Sequence, residues 1–239
     1  MITILIPTFE EKNNIRRAIR HLAKILDNYD FKIIIIDDNS KDGTYEILED
    51  LKNKDSKVDF IIRKEKSKDL TKSVQLGIDK IKTEFACVID CDLQHQIEKI
   101  PDMIKLLKEK KFDLVIGSRF LNKLNKTYNI SISRLIISKF GIYLSRILGI
   151  GNTSDPLSGF FAFNTKKIKR INTKIKTKGF KILLTILFLT RNQIKFCEIN
   201  INFKKRIRGK SKLNLRNKYL FLHQLYILFI SRIGSGGGI

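Results

Sequence analysis

The chain has 239 residues, 43% of them hydrophobic, which is enough for one catalytic domain with a full core and excludes a disordered chain. Its formal net charge is +23, and the charge is uneven, because residues 164–239 hold 19 basic side chains and one acidic one, Glu198. This local excess indicates an anionic partner such as nucleic acid, lipid headgroups or phosphates, although a general bias in composition is an alternative explanation. The three cysteines form no CxxC pair, so the sequence predicts neither a disulfide framework nor a zinc site.

Strand-like and helix-like segments alternate along the first 120 residues. Apolar runs predict strands at 2–6, 32–36, 58–63, 85–90 and 114–117. Helical spacing of apolar residues predicts helices at 15–26, 44–53, 70–82 and 97–110. This order predicts an α/β fold with a mostly parallel sheet and helices on both faces. Since such sheets bind ligands beyond the carboxyl ends of their strands, polar residues there are candidates for chemistry.

The pattern changes after Arg119. Residues 130–150 and 219–233 are apolar stretches interrupted by basic side chains, which is typical of amphipathic helices in a membrane interface or of ordinary core-facing helices. No apolar run reaches the ~18 residues that a membrane-spanning helix needs. Residues 234–239 are rich in glycine and predict a flexible tail.

Two carboxylates, Asp90 and Asp92, follow the apolar run at 85–89. If the strand continues, both side chains project to the same side, because side chains alternate along a strand. Two carboxylates at the end of a strand form a hard oxygen site for Mg²⁺ or Mn²⁺, and such an ion can neutralise a nucleoside diphosphate as it departs. A solvated turn is the competing interpretation of a bare DxD pattern.

Two further polar loops follow predicted strands. Asp37 and Asp38 end the second strand, where a carboxylate can accept hydrogen bonds from a ribose or a base, or can form an Asx turn before the next helix. Residues 7–11 follow the first strand, where Phe9 could stack on a planar base and Glu11 could accept a hydrogen bond. Glu11 also suits the first turn of a helix.

The segment 203–212 is a dense cationic loop that could surround a phosphate, or form a solvated basic surface. Its Gly209-Lys210-Ser211 lacks the earlier glycine of a P-loop, because Lys204 occupies that position. The chain has neither GxGxxG after a strand nor GxSxG, which argues against dinucleotide oxidoreductases and serine hydrolases.

Seven motifs in order resemble the polyprenol-phosphate glycosyltransferases of glycosyltransferase family 2, the group that includes the dolichol-phosphate mannosyltransferases. They cover about residues 2–215 and are IPTFEE (6–11), IDDNSKDGT (36–44), DCDLQH (90–95), GSRF (117–120), DPLSGFF (155–161), GFKIL (179–183) and RIRGKSK (206–212). The resemblance implies a GT-A fold, a nucleotide-sugar donor such as GDP-mannose or UDP-glucose, and a polyprenyl phosphate acceptor.

The resemblance also implies roles for particular residues. The nucleotide would contact Pro7, Phe9, Glu11, Ile36 and Asp38. The Mg²⁺ or Mn²⁺ ion and the diphosphate would be held by Asp90, Asp92 and Gln94, with Arg119 beside the diphosphate. The acceptor phosphate would meet Arg134, Ser138, Arg206 and Lys212. The catalytic set would thus be Asp92, Arg119, Arg206 and Lys212, with Gly159 in a loop that approaches the same pocket.

These implications predict a catalytic domain over residues 1–218, with an interface helix near 130–150, and a juxtamembrane helix over 219–233. We expect a peripheral or monotopic protein at the cytoplasmic face of an anionic membrane, or a chain cut before transmembrane helices. A GT-A enzyme with a soluble glycan or protein acceptor is an alternative function. A nucleic-acid-binding protein is a remote alternative, because it would leave Asp90 and Asp92 without a purpose.

Overall fold

The computed structural model describes residues 1–65, 68–121, 132–191, 193–204 and 215–235. Its centre is a seven-stranded sheet in the order β3-β2-β1-β4-β6-β5-β7, in which β6 alone runs antiparallel to its neighbours. The strands are β1 (Ile2–Thr8), β2 (Phe31–Asp37), β3 (Val58–Ile62), β4 (Phe85–Val88), β5 (Leu114–Ser118), β6 (Phe161–Asn164) and β7 (Phe196–Asn200). The helices are α1 (Ile15–Ile25), α2 (Thr44–Lys54), α3 (Leu70–Lys80), α4 (Ile100–Glu109), α5 (Ile132–Ile147), α6 (Thr165–Asn172), α7 (Ile182–Leu189) and α8 (Leu215–Ser235).

The sheet separates two hydrophobic cores. Because side chains alternate along a strand, Ile4 and Ile6 of β1 enter the core that contains α1, α2 and α4, while Leu5 enters the core of α3, α6, α7 and α8. A Cβ at Gly77 of α3 would lie 2.2 Å from Leu5, so glycine allows this helix to approach β1 closely. The α/β architecture with helices on both faces is therefore confirmed.

The antiparallel strand β6 explains how one loop reaches the functional edge. Phe161, its first residue, lies opposite Val88 of β4 and Ile116 of β5. Since β6 runs against its neighbours, its amino end lies at the edge where those strands have their carboxyl ends. The loop over residues 153–160 is thereby brought beside the residues that follow β4 and β5.

Several predicted boundaries are off by a few residues, and two of these differences bear on the site. Strand β4 ends at Val88, not at residue 90, so Asp90 and Asp92 lie in a turn and strand alternation does not orient them. The predicted helix at 97–110 begins as a 3-10 turn (Ile97–Lys99), and α4 starts at Ile100 with Pro101 in its first turn. Strands β6 and β7 were not predicted. Within the described residues, no helix has both the length and the apolar character to cross a bilayer.

Candidate active site

Four loops meet at one edge of the sheet, after the carboxyl ends of β1, β2, β4 and β5. Three of them contain a non-glycine residue with a left-handed backbone: Glu10 (φ 52°), Asn39 (φ 57°) and Leu93 (φ 59°). This conformation is uncommon for such residues and is concentrated in functional loops. The edge therefore has both the position and the backbone character of a ligand site.

The Asp90 carboxylate lies next to His95. His95 Nε2 is 3.1 Å from Asp90 Oδ2, and the imidazole is buried between the rings of Phe160 and Phe203. Burial alone would raise the pKa of Asp90, but the hydrogen bond and charge of His95 and the charges of Lys181 and Arg119 outweigh it and lower the pKa. Asp90 is thus kept ionised, as a ligand of a cation must be.

Arg119 follows β5 and is fixed by Asp155. Its Nε and one terminal nitrogen each donate to the Asp155 carboxylate at 2.7 Å, and its backbone N–H donates to the same group at 3.1 Å. Burial would lower the pKa of Arg119, but Asp155 and then Asp90 raise it. A guanidinium held by a two-bond fork is a fixed positive charge next to Asp90.

Two more residues crowd Asp90. A Cβ at Gly159 would lie 2.6 Å from Asp90 Oδ2, so only glycine leaves space at this point. Lys181 comes just before α7, and its ammonium donates to the Leu157 carbonyl at 3.0 Å while its charge lowers the Asp90 pKa. The acidic turn therefore faces two cations, Arg119 and Lys181.

Gln94 connects the acidic turn with the start of the basic loop. Its backbone N–H donates to Asp92 Oδ1 at 3.1 Å, and its side-chain amide donates to the Lys204 carbonyl at 3.1 Å. The Lys204 N–H in turn donates to the Gln94 carbonyl at 2.8 Å. The structure thus ties Lys204, near the beginning of the basic loop 203–212, directly to the predicted metal-binding turn.

The loop after β1 has a structural role, and its aromatic ring is in contact with a lysine. The Glu11 carboxylate accepts a 2.6 Å hydrogen bond from the Asn14 side chain at the start of α1, which is the helical-turn alternative considered from the sequence. Lys68 lies over the Phe9 ring, 3.6 Å from its centroid. Pro7 is buried within β1, opposite Ile36.

The adjacent carboxylates after β2 have different partners. Asp37 forms the Asx turn, because its oxygens accept from the Ser40 N–H at 2.8 Å and the Ser40 hydroxyl at 2.6 Å. Asp38 is paired with the buried Arg63 and accepts from the Asp69 N–H at 2.6 Å. The Asx-turn interpretation thus applies to Asp37. Asp38 is instead fixed by a cation, and its contact with a ribose or base stays a prediction.

The side chains of the four residues predicted to bind the acceptor phosphate lie outside the described part of the chain. Arg206 and Lys212 fall within 205–214, and Arg134 and Ser138 fall on the part of α5 for which only the backbone is described. The structure does place the other predicted site residues along one sheet edge: Pro7, Phe9, Glu11, Ile36, Asp38, Asp90, Asp92, Gln94 and Arg119.

Three partners at this edge were not assigned roles from the sequence: His95, Asp155 and Lys181. Each lies in one of the seven motifs, so their presence was visible but their contacts were not. His95 and Asp155 act on Asp90 and Arg119 respectively, over separations of 5 and 36 residues. Only the tertiary structure reveals the second of these pairs.

The residues present fit an oxygen-bound divalent cation. Among the described residues, no three His, Cys, Asp or Glu side chains converge as a metal cage. Mg²⁺ and Mn²⁺ do not require one, because such ions are commonly bound by one or two carboxylates together with water and substrate phosphates. An ionised Asp90, whose carboxylate occupies the space that Gly159 leaves, and the nearby Asp92 match that pattern.

Comparison with solved structures confirms the fold. The chain superimposes on the crystal structure of glucosyl-3-phosphoglycerate synthase from Mycobacterium tuberculosis in complex with UDP, with a TM-score of 0.69 and 18% identity over 98% of this chain and 80% of that one. The same enzyme with Mn²⁺ and UDP-glucose gives a TM-score of 0.69 and 18% identity over 98% and 79%. The GT-A fold is thus confirmed.

Comparison with curated proteins gives more specific relatives. The chain is 33% identical to a dolichol-phosphate mannosyltransferase of Pyrococcus furiosus, over 95% of this chain but only 63% of that protein. It is 30% identical to the Saccharomyces cerevisiae protein of the same name, over 98% of this chain and 88% of that one. The sequence model described as "Glycosyl transferase family 2" matches residues 3–172. The chain therefore belongs to glycosyl transferase family 2, the family that the seven motifs predicted.

Proposed function

We propose that this chain is an inverting enzyme that moves a hexose from a nucleoside-diphosphate sugar to a polyprenyl phosphate at the cytoplasmic face of a membrane. Mannose from GDP-mannose is the favoured donor sugar, since the relatives are named dolichol-phosphate mannosyltransferases, and glucose from UDP-glucose is the alternative. The observation that carries the proposal is the ionised Asp90 held beside Arg119 and Lys181 at the carboxyl edge of the sheet.

The donor nucleotide would lie across the loops that follow β1 and β2. Pro7, Phe9 and Glu11 would line one side of the base, and Ile36 and Asp38 the other. The fixed orientation of Asp38 by Arg63 supports this, because a preorganised carboxylate recognises a hydrogen-bond donor without first having to order itself.

The diphosphate would meet the acidic turn. Asp90, Asp92 and Gln94 would hold Mg²⁺ or Mn²⁺, and a bound ion would supply charge neutralisation for the diphosphate. The Mn²⁺ complex of the structurally similar synthase is consistent with a divalent ion. Arg119 would stabilise the negative charge that develops on the leaving group, since its guanidinium is already fixed by Asp155 before the reaction.

The acceptor would be activated without a general base. A phosphate monoester is largely ionised at neutral pH, since its second pKa is about 6, so its oxygen can attack the anomeric carbon directly and invert it. Arg134, Ser138, Arg206 and Lys212 would hold this phosphate. The Gln94–Lys204 pair supports the arrangement, because it places the beginning of the basic loop against the metal-binding turn.

Helix α8 supports a membrane location. One of its faces, formed by Phe221, Gln224, Leu225 and Leu228, is buried against the domain. The opposite face exposes the apolar side chains of Tyr219, Leu222, Tyr226, Phe229, Ile230 and Ile233, and α5 adds Phe140, Tyr143 and Ile147. The end of α8 lies near the end of α5, because the Arg232 guanidinium lies against Gly149 just beyond α5.

Exposed apolar patches of this kind mark interaction sites, and the surrounding cationic composition selects an anionic bilayer. In this proposal residues 1–218 form the catalytic domain, with the helix near 130–150 and the juxtamembrane helix at 219–233 resting on the membrane surface. The exposed faces of α5 and α8 would enter the headgroup region together. This would present the active-site edge to a lipid-linked phosphate.

The decisive experiment is a donor screen with purified protein, a short polyprenyl phosphate and Mg²⁺ or Mn²⁺. Radiolabelled GDP-mannose, UDP-glucose and UDP-N-acetylglucosamine are supplied in turn, and label is counted in the lipid phase. We expect lipid label from one donor, abolished by EDTA. Metal-dependent release of nucleotide without any lipid label would contradict the acceptor assignment and favour a soluble glycan or protein acceptor.

A further inference from the structure

Glu198 is the one acidic residue in the cationic segment 164–239. It lies in β7, directly opposite Ile116 of the parallel neighbour β5. Arg119 comes three residues after Ile116, just past the end of β5. The one carboxylate of this segment therefore lies on the strand that pairs with β5, the strand that Arg119 follows.

The Glu198 side chain binds the loop that carries Asp155. Its Oε1 accepts from the Thr153 hydroxyl at 2.7 Å, from the Ser154 N–H at 2.9 Å and from the Asp155 N–H at 3.3 Å. Its Oε2 also accepts from the Ser154 N–H, at 3.0 Å. A carboxylate that accepts hydrogen bonds from three consecutive residues fixes the backbone of that loop.

The same loop holds Arg119 through the Asp155 side chain. The Asp155 N–H thus donates to Glu198, while the Asp155 carboxylate accepts two hydrogen bonds from the Arg119 guanidinium. A 2.6 Å hydrogen bond between the hydroxyls of Ser118 and Ser154 ties the loop to the end of β5 as well. The contacts form a continuous path from Glu198 through residues 153–155 to Arg119.

We propose that Glu198 is a positioning residue that sets the Arg119 guanidinium for the diphosphate of the donor. The inference rests on the proposed role of Arg119 at the leaving group. The arginine fork is planar and directional, so a shift of its carboxylate partner turns the whole guanidinium. Displacements of about 1 Å in a positioned group can cost on the order of 100-fold in rate.

The test is the variant Glu198→Gln. The amide keeps the size of the side chain but removes its charge and replaces one acceptor oxygen by an NH₂ group, which faces the Ser154 N–H in either orientation. We expect affinity for GDP or UDP in Mn²⁺ to fall about 10-fold and turnover to fall about 10- to 100-fold, with affinity for GMP or UMP unchanged. Glu109→Gln, which alters an exposed carboxylate on α4, is the matched control.

A double-mutant cycle separates positioning from simple loss of stability. In an Arg119→Lys background, Glu198→Gln should change turnover by less than about twofold, since both changes act on the same interaction. Thr153→Val removes one donor to Glu198 and should give a smaller loss in the same direction. If Glu198→Gln does not fold, Thr153→Val is measured in its place.

Unchanged diphosphate affinity in a folded Glu198→Gln or Thr153→Val variant would overturn the inference. A full additional loss in the Arg119→Lys background would overturn it too. These binding measurements need no acceptor, so they hold even if the polyprenyl phosphate assignment fails. A parent chain that binds neither GDP nor UDP would instead overturn the proposed function, and the role of Glu198 with it.

Discussion

His95 Nε2 lies 3.1 Å from Asp90 Oδ2, and the imidazole is enclosed by Phe160 and Phe203. A buried ring at this distance orients the carboxylate. The Phe203 ring centroid also lies 5.5 Å from the Arg119 guanidinium carbon, so one aromatic ring packs against both the partner of Asp90 and the arginine. Phe203, the first residue of the basic loop, thereby packs beside the acidic turn.

The first prediction concerns His95→Phe, which keeps an aromatic ring between Phe160 and Phe203 and removes the hydrogen bond to Asp90. Loss of an orienting partner of a metal ligand typically costs about 10- to 100-fold in metal affinity or activity. We expect a loss of that size in Mn²⁺-dependent turnover, with the Mn²⁺ concentration for half-maximal activity raised. His21→Phe, at a half-exposed histidine on α1, is the control, and equal turnover in the two variants would refute the assignment.

The second prediction is that Asp92→Asn abolishes transfer while the fold persists. Asp92 is buried in the turn, where its Oδ1 accepts from the Gln94 N–H, and an asparagine can keep that hydrogen bond through its carbonyl. Loss of the negative charge would weaken the binding of a divalent ion at the diphosphate. Normal turnover in a variant with an unchanged circular dichroism spectrum would remove Asp92 from the catalytic set.

The third prediction concerns stability. Asp155 is 1% exposed and forms the two-bond pair with Arg119, so Asp155→Asn leaves a buried guanidinium without its counter-charge. Breaking a buried pair in this way costs about 3 kcal/mol in the free energy of unfolding. Asp102→Asn, which removes an exposed partner of Lys99, should cost less than about 1 kcal/mol. Urea unfolding measures both, and similar losses would contradict the buried-pair argument.

The loops at the sheet edge could be predicted well, because the strands and turns that form them are recognisable from residues adjacent in the sequence. Strands β1 and β2 are apolar on both faces, as expected for strands covered by helices on either side, and each is followed by turn-forming polar residues. Strand β6 has only four residues, and its place between β4 and β5 depends on pairing with segments far away in the chain. Its antiparallel direction could not be deduced from residues 161–164 alone.

The same distinction applies to the site. Asp90 and Asp92 were identified by their position after an apolar run, although the expected strand alternation is wrong because β4 ends at Val88. Which carboxylate acts on which group is a matter of tertiary contact: Asp37 closes a turn with Ser40, whereas the adjacent Asp38 faces Arg63. Neighbours of the same residue type therefore acquire different roles only in the folded chain.

The fourth prediction is a pH dependence at Asp37. Burial raises the pKa of this carboxyl, and the hydrogen bonds from Ser40 offset only part of that effect. A group whose pKa is raised by folding binds more protons in the native state, so its ionisation lowers stability as pH rises from about 4, the unfolded value, through the folded pKa. Asp37→Asn does not ionise.

We therefore expect the free energy of unfolding of Asp37→Asn, relative to the parent chain, to increase over that pH interval and then level off. Urea unfolding at a series of pH values measures the difference. Asp30→Asn, at an exposed carboxylate before β2, is the control and should show no such rise. A relative stability of Asp37→Asn that falls with pH would mean that the Ser40 hydrogen bonds, not burial, dominate.

The last prediction concerns the membrane. Tyr226 and Ile230 are 63% and 49% exposed and lie one turn apart on the outer face of α8, away from the buried Gln224 and Leu225. In Tyr226→Glu/Ile230→Glu two apolar side chains are lost and two negative charges face the anionic lipid. Burying one such side chain is worth about 1.5–3 kcal/mol when complete, so even shallow insertion predicts at least about a 10-fold loss of vesicle binding.

Flotation with vesicles that contain anionic lipid measures this loss. Binding of the parent chain should also weaken with salt, since part of it is electrostatic. Tyr29→Glu, at a partly exposed tyrosine after α1, should bind as the parent does. Equal binding of all three proteins at low salt would mean that the exposed face of α8 does not contact the bilayer.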